Sequence, residues 1–88
     1  MKIKYMLEAT ELDDEIICVP VGPGAEEVQG VLKLNGTGYE IVKLMEEDTD
    51  VNAITDALAA KYQTAREEIA NYVVKFVGAL RESGMIEE

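Results

Sequence analysis

The residues able to do chemistry in this chain are few, and their spacing argues against most reactions. Histidine is absent, so a histidine general base, a Ser-His-Asp arrangement and a Cys-His pair cannot be built from this chain alone. The single cysteine, Cys18, stands in the apolar run Ile16, Ile17, Val19 and reads as a buried, inert thiol. Alone it can form neither an internal disulfide nor a Cys/His metal cluster. Acidic pairs occur at Asp13–Asp14 and Glu67–Glu68. They fall in a turn and at a helix start, where solvation and the helix dipole favour charged carboxylates over proton-exchanging ones. The acidic run Glu46, Glu47, Asp48, Asp50 lacks the alternating oxygen ligands, central glycine and distal glutamate of a calcium loop. Gly36-Thr37-Gly38 has neither the lysine nor the full glycine spacing of a phosphate loop. No catalytic residue, cofactor or metal site is expected; what remains is binding.

Composition narrows the possible partners. Eighteen acidic residues against 8 basic ones give a formal net charge of −10, which repels nucleic acid and anionic membrane surfaces unless a local basic patch exists. The eight cations are scattered among acidic neighbours. With 88 residues, 48% hydrophobic and 30% charged, the chain reads as one globular domain spanning residues 1–88, able to bury about 60 to 65 per cent of its unfolded surface. The opening MKIKYMLEAT lacks the apolar stretch of a signal peptide, and nothing approaches a membrane span. A cytoplasmic location is the expectation.

The elements that must position a binding surface follow from periodicity. Residues 3–9 and 15–21 read as strands on either side of an acidic turn, the second ending near Pro20. GPGA at 22–25 is a turn, and residues 26–34 alternate as a third strand. The result is an antiparallel meander with two unpaired outer edges. Asn35 then caps a helix from Thr37 to Glu46, with Ile41, Val42, Leu44 and Met45 inward. Asp50 caps a second from Val51 to Tyr62, with Val51, Ile54, Leu58 and Tyr62 on one stripe. The last third organises the chain. Thr64 and Glu67 form a capping-box pattern, Ile69, Tyr72, Val73, Phe76 and Leu80 make a stripe, and Ser83-Gly84 supplies the stop before a short Met85-Ile86 tail. Three strands then three helices make an α+β domain with the helices on one side of a small sheet.

Turning the last helix at about 100° per residue leaves Ala70, Val74 and Val77 as a second apolar shoulder beside the main stripe, flanked by Arg66 and Arg81. An edge strand next to such a shoulder can accept an extended peptide, main-chain bonds giving affinity and side-chain pockets selectivity. The walls expected for that site are Gln29, Gly30, Val31, Leu32 and Lys33 on the strand, and Ala70, Val74 and Val77 on the helix. Arg66, Arg81 and Lys33 would form a cationic rim. The same edges could pair two copies into a homodimer.

The segment from Val31 to Ile86, through LNGTGYEIVKLM, DVNAITDALAAKY and EEIANYVVKFVGALRESGMI, resembles the coenzyme PQQ synthesis protein D (PqqD) family, and the preceding strands agree in order and length. The likeness implies a winged-helix-like domain that is not an enzyme. It implies an accessory protein that binds the leader segment of a ribosomally made precursor peptide along the third strand, beside the third helix, and presents it to a modifying enzyme, commonly a radical SAM maturase. Relatives often carry Asp-Gly after the first helix, whereas this chain has Glu47 and Asp48, so that turn must be made differently. Many relatives serve peptides other than the PQQ precursor. The rival class is a winged-helix DNA-binding regulator. Against it, the last helix carries Arg66, Lys75 and Arg81 beside Glu67, Glu68 and Glu82, leaving no net positive field for phosphates.

Overall fold

The computed structural model describes residues 1–27 and 30–88, Glu27 by its backbone alone. The sheet forms where β-branched and apolar residues alternate. Strand β2 (Met6–Leu12) pairs antiparallel with β3 (Glu15–Val21), from Met6 opposite Val21 to Leu12 opposite Glu15. The two residues between them turn the chain with Asp13 at φ 57°, a left-handed conformation that a short polar side chain tolerates. Strand β4 (Leu32–Leu34) pairs with β3 through Ile16–Leu34, Ile17–Lys33 and Cys18–Leu32. Directly opposed residues share a face, so Leu7, Ile16, Cys18, Leu32 and Leu34 point to the helices while Ile17, Val19 and Lys33 point away. Cys18 is fully buried, and burial pushes its thiol above the ordinary value, which agrees with an inert side chain.

Two strand expectations need correction. The first strand is split: β1 (Lys2–Ile3) leaves the meander and pairs antiparallel with β5 (Ile86–Glu87). It is anchored there because Ile3 N–H donates to the Met45 carbonyl at 2.8 Å and Lys4 N–H to the Met85 carbonyl at 2.8 Å. The short Met85-Ile86 tail does pack, with Met85 buried, and Ile86 continues into β5. The third strand is shorter than residues 26–34. Ala25–Glu27 form a 3₁₀ turn, and Gly30 sits at φ +94°, a conformation that interrupts extended chain and favours glycine.

The helices begin where their caps predict, with one exception. Asn35 accepts from Gly38 N–H at 2.7 Å to open α1 (Gly36–Leu44), and Asp50 accepts from Ala53 N–H at 2.8 Å to open α2 (Val51–Tyr62). The exception is α3 (Arg66–Glu82), whose cap residue is Ala65 with no side-chain bond. Gln63 adopts the left-handed conformation at φ 51°, which carries Thr64 outside the cap position. Its hydroxyl donates instead to the Tyr62 carbonyl at 3.2 Å, so the capping box does not form. At the other end Gly84, at φ +75°, closes the helix as expected, with Met85 N–H returning to the Leu80 carbonyl at 3.0 Å.

The core lies between the inner sheet face and the three helices. Ile41 and Met45 of the α1 end, Ile54 and Leu58 of α2, and Val73 and Val77 of α3 are all sealed from solvent. Leu44, expected inward, is 39% exposed, and Tyr62 of α2 is 42% exposed. Tyr62 instead donates its hydroxyl to Glu40, which Lys61 also approaches at 3.1 Å, so α2 is laced to α1 at the surface. Among the described residues no helix is long and apolar enough to cross a membrane, and no cluster of three metal-ligating side chains is assembled.

Thr55 is 1% exposed and its hydroxyl has no hydrogen-bond partner. Burying an unpaired hydroxyl costs roughly 1 to 3 kcal/mol, so the isosteric Thr55→Val should stabilise the fold by about 1 kcal/mol and raise the Tm by a few degrees. Thermal unfolding checks this; a lower Tm would mean that the hydroxyl is bonded in solution. The Tyr62 hydroxyl, with Lys61, holds the Glu40 carboxyl below its usual range. A depressed carboxyl contributes stability that is whole above the unfolded glutamate value, about 4.3, and is lost as pH falls through the lower folded value. Glu40→Gln should therefore narrow its Tm deficit to the parent as the pH is lowered through that window, in paired melts across the acid range.

Candidate functional site

The site must be sought where the fold leaves main-chain groups unmatched. β3 is paired on both sides, whereas β4 has β3 on one side and, among the described residues, no strand on the other. Its open border therefore carries unpaired N–H and C=O groups, a template for another extended chain. Leu34 is buried, Leu32 half-buried and Lys33 exposed. Just before them Val31 is 48% exposed, and Gly30 has open space around it. Gln29 lies outside the described residues.

What flanks that border is decided by the rotation of α3 about its axis. Two side chains mark the flank that meets the β4–α1 junction. Tyr72 directs its hydroxyl at Asn35 Oδ1, 3.3 Å away, at the residue that follows β4. Phe76, one turn on, presses against Gly38: a Cβ there would lie 2.9 Å from Phe76 Cε2 and 3.2 Å from Asn35 Oδ1. Only glycine allows that approach. The two rings stack with centroids 6.1 Å apart and planes inclined by 19°, a separation typical of favourable aromatic pairs. Tyr72 remains 36% exposed, so this aromatic flank forms a half-open wall at the end of the β4 border.

The helix residues expected from the sequence are placed differently. Val77 is 1% exposed and belongs to the core; this corrects its reading as a groove wall, because the buried arc of α3 is centred between Val73 and Val77. Ala70 is half-buried and Val74 is 56% exposed. By the helical turn they lie on the flank opposite Tyr72. Arg81 belongs to that opposite flank, Arg66 lies in line with the buried arc at the start of α3, and both are occupied. Arg66 binds Asp56 at 2.8 Å and Asn52 at 3.3 Å on α2, and Arg81 binds Glu88 at 2.6 Å beside β5. The expected rim of free arginines is thus corrected: both tie α3 to its neighbours. Only Lys33 of that rim is free of an ion pair among the described residues.

Tyr72 and Phe76 were legible as part of the inward stripe; Phe76 does pack against the core, whereas Tyr72 is 36% exposed. The signal that could have placed them was Gly38, a glycine in an otherwise ordinary helix, where space was needed for a neighbouring group. A second concavity, of about 470 Å³, opens between β1, the start of β2 and the end of α1, lined by Lys2, Lys4, Tyr5, Val42, Glu46 and Glu87. Its charges are of both signs.

Comparison with known proteins bears on the fold and its border. A search of curated proteins found no match. The solved structure of TbiB1 in complex with the TbiA(beta) leader peptide is similar over 99% of this chain and 95% of that one, with a TM-score of 0.72 and 26% identity. A family model for coenzyme PQQ synthesis protein D (PqqD) matches residues 24–86, which takes in β4, all three helices and the return to β5. With most of its length matched in this way, the chain belongs to the PqqD family.

Proposed function

We propose that this protein is a non-catalytic adaptor that takes the leader segment of a ribosomally made precursor peptide as an added strand on the open border of β4. It then presents the precursor to a modifying enzyme, for which the family likeness favours a radical SAM maturase. The observation that carries the reading is the unpaired β4 border lying beside the Tyr72–Phe76 flank of α3, in a chain similar in fold to TbiB1 held with a leader peptide.

The physical logic is that of strand addition. Gly30 to Lys33 supply main-chain donors and acceptors, which bind any extended sequence and so give affinity without selectivity. Alternate guest side chains then fall on the helix side, where Tyr72 and Phe76 offer apolar surface, and these give selectivity. Such a site needs no proton transfer or metal, in keeping with the absence of histidine. A DNA-binding reading is disfavoured because two of the three cations of α3, Arg66 and Arg81, are neutralised by Asp56 and Glu88, leaving Lys75 alone, too little charge to hold a phosphate track.

The test is calorimetric titration with the leader peptide of the precursor encoded beside this gene. Tyr72→Glu places a carboxylate on the aromatic wall and should weaken binding by about 1 to 3 kcal/mol. Val74→Glu, exposed on the other flank, should leave affinity unchanged. The reverse pattern would move the guest to the Val74–Arg81 flank, and absence of heat with the unmutated protein would sink the strand-addition reading.

A further inference from the structure

The cations of the molecule divide into two sets of different use. Four of the eight are consumed internally: Lys43 by Glu46, Lys61 by Glu40, Arg66 by Asp56 and Arg81 by Glu88. In a chain with 18 acidic residues, an unpaired lysine is the one that needs explaining. Lys2, Lys4, Lys33 and Lys75 form no ion pair among the described residues. Lys2 and Lys4 line the concavity beside β1. Of the other two, Lys33 stands on the border strand itself and Lys75 on α3, next around the helix from Tyr72.

The surroundings of Lys75 are unusual for this protein. On a helix the neighbours that could neutralise it stand three and four residues away, and here they are Asn71, Tyr72, Gly78 and Ala79, none of them acidic. Lys75 is exposed and lies one helical step outside Tyr72, at about 60° around the axis on the side away from the buried arc. Its long, flexible stem can therefore lean over the aromatic wall toward a strand added at β4. Lys33 stands opposite Ile17 on the outer sheet face, where it would sit beside the outward residues of the same added strand. A guest strand would thus run between two cations on its two faces, against a background charge of −10.

Resting on the strand-addition reading above, we infer that the guest is an acidic segment, with Lys75 and Lys33 as the residues that select carboxylates on the two faces of the bound strand. The opposed field of the whole molecule sharpens this selection. An acidic peptide is repelled over most of the surface and attracted only at the border, so charge restricts where it docks. Because both lysines are exposed, their contribution is to specificity and encounter more than to affinity, and it is screened by salt.

The experiment uses the full chain and a fluorescein-labelled synthetic leader peptide of the precursor encoded beside this gene, read by anisotropy at low and high ionic strength. Lys75→Glu and Lys33→Glu are each expected to weaken binding by about threefold to tenfold at low ionic strength, with the loss shrinking at high salt. Lys2→Glu changes the net charge equally but lies away from the border, and should shift affinity by less than about twofold. Replacing an acidic leader residue by lysine should restore binding to one of the two charge-reversed variants while weakening it for the parent. Equal losses for Lys2→Glu and Lys75→Glu would reduce the effect to overall charge and overturn the inference. So would tight binding of a leader whose bound segment carries no acidic side chain. Failure of the unmutated protein to bind the peptide is a separate result, because it removes the strand-addition reading itself.

Discussion

The arrangement depends on one close contact, the ring of Phe76 against the backbone of Gly38. Any larger residue at 38 would bring a Cβ within 2.9 Å of the ring, nearer than packed atoms sit, so the glycine sets how closely α3 can approach the start of α1. That start is itself fixed to β4, because Asn35 both follows the strand and caps the helix through Gly38 N–H. The same Asn35 oxygen receives the Tyr72 hydroxyl. Strand end, helix cap and the flank of α3 thereby meet in one corner. An exposed strand border is useful for recognition only if the wall beside it stays in place, and this corner holds it.

The rotation of α3 follows from the same corner and from the opposite flank. Arg66 and Arg81 tie the helix to α2 and to the chain end, while Phe76 ties it to α1. Exposed ion pairs of this kind are individually weak, so they orient more than they stabilise; the burial of Val73, Val77 and Leu80 between them supplies the energy. The helix cannot turn to bring Val74 to the β4 side without exposing Val77.

Much of the fold was legible because it rests on local rules. The Asn35 and Asp50 caps, the Gly84 stop, the acidic hairpin turn and the pairing of β3 between two neighbours follow from residue types a few positions apart. What escaped was long-range or a matter of degree. β1 and β5 meet from opposite ends of the sequence, and no short-range pattern announces such a pair. Thr64 satisfies the capping pattern, yet the left-handed Gln63 outweighs it by shifting the helix start to Arg66. For α3, periodicity recovers an apolar arc but not its centre, since Ile69, Tyr72, Val73, Phe76, Val77 and Leu80 span more surface than one core can cover. The inward choice fell on Val73 and Val77 because the helix is pinned from both flanks. The edge strand and the apolar faces of α3 were thus readable, but not which flank of α3 meets the β4–α1 junction.

An open border beside an apolar wall is a hazard, since an exposed edge can pair with a copy of itself. Two features of this chain work against the copy. β4 is three residues long, so a self-paired border offers few bonds, and each added copy brings another −10 of charge. The other border of the three-stranded sheet, that of β2, has no strand beside it among the described residues and carries Glu8 and Glu11 along its length, which blunts it in the usual way for edge strands. The surplus of acid that disfavours nucleic acid for this molecule thus also works against pairing of the open border with a second copy.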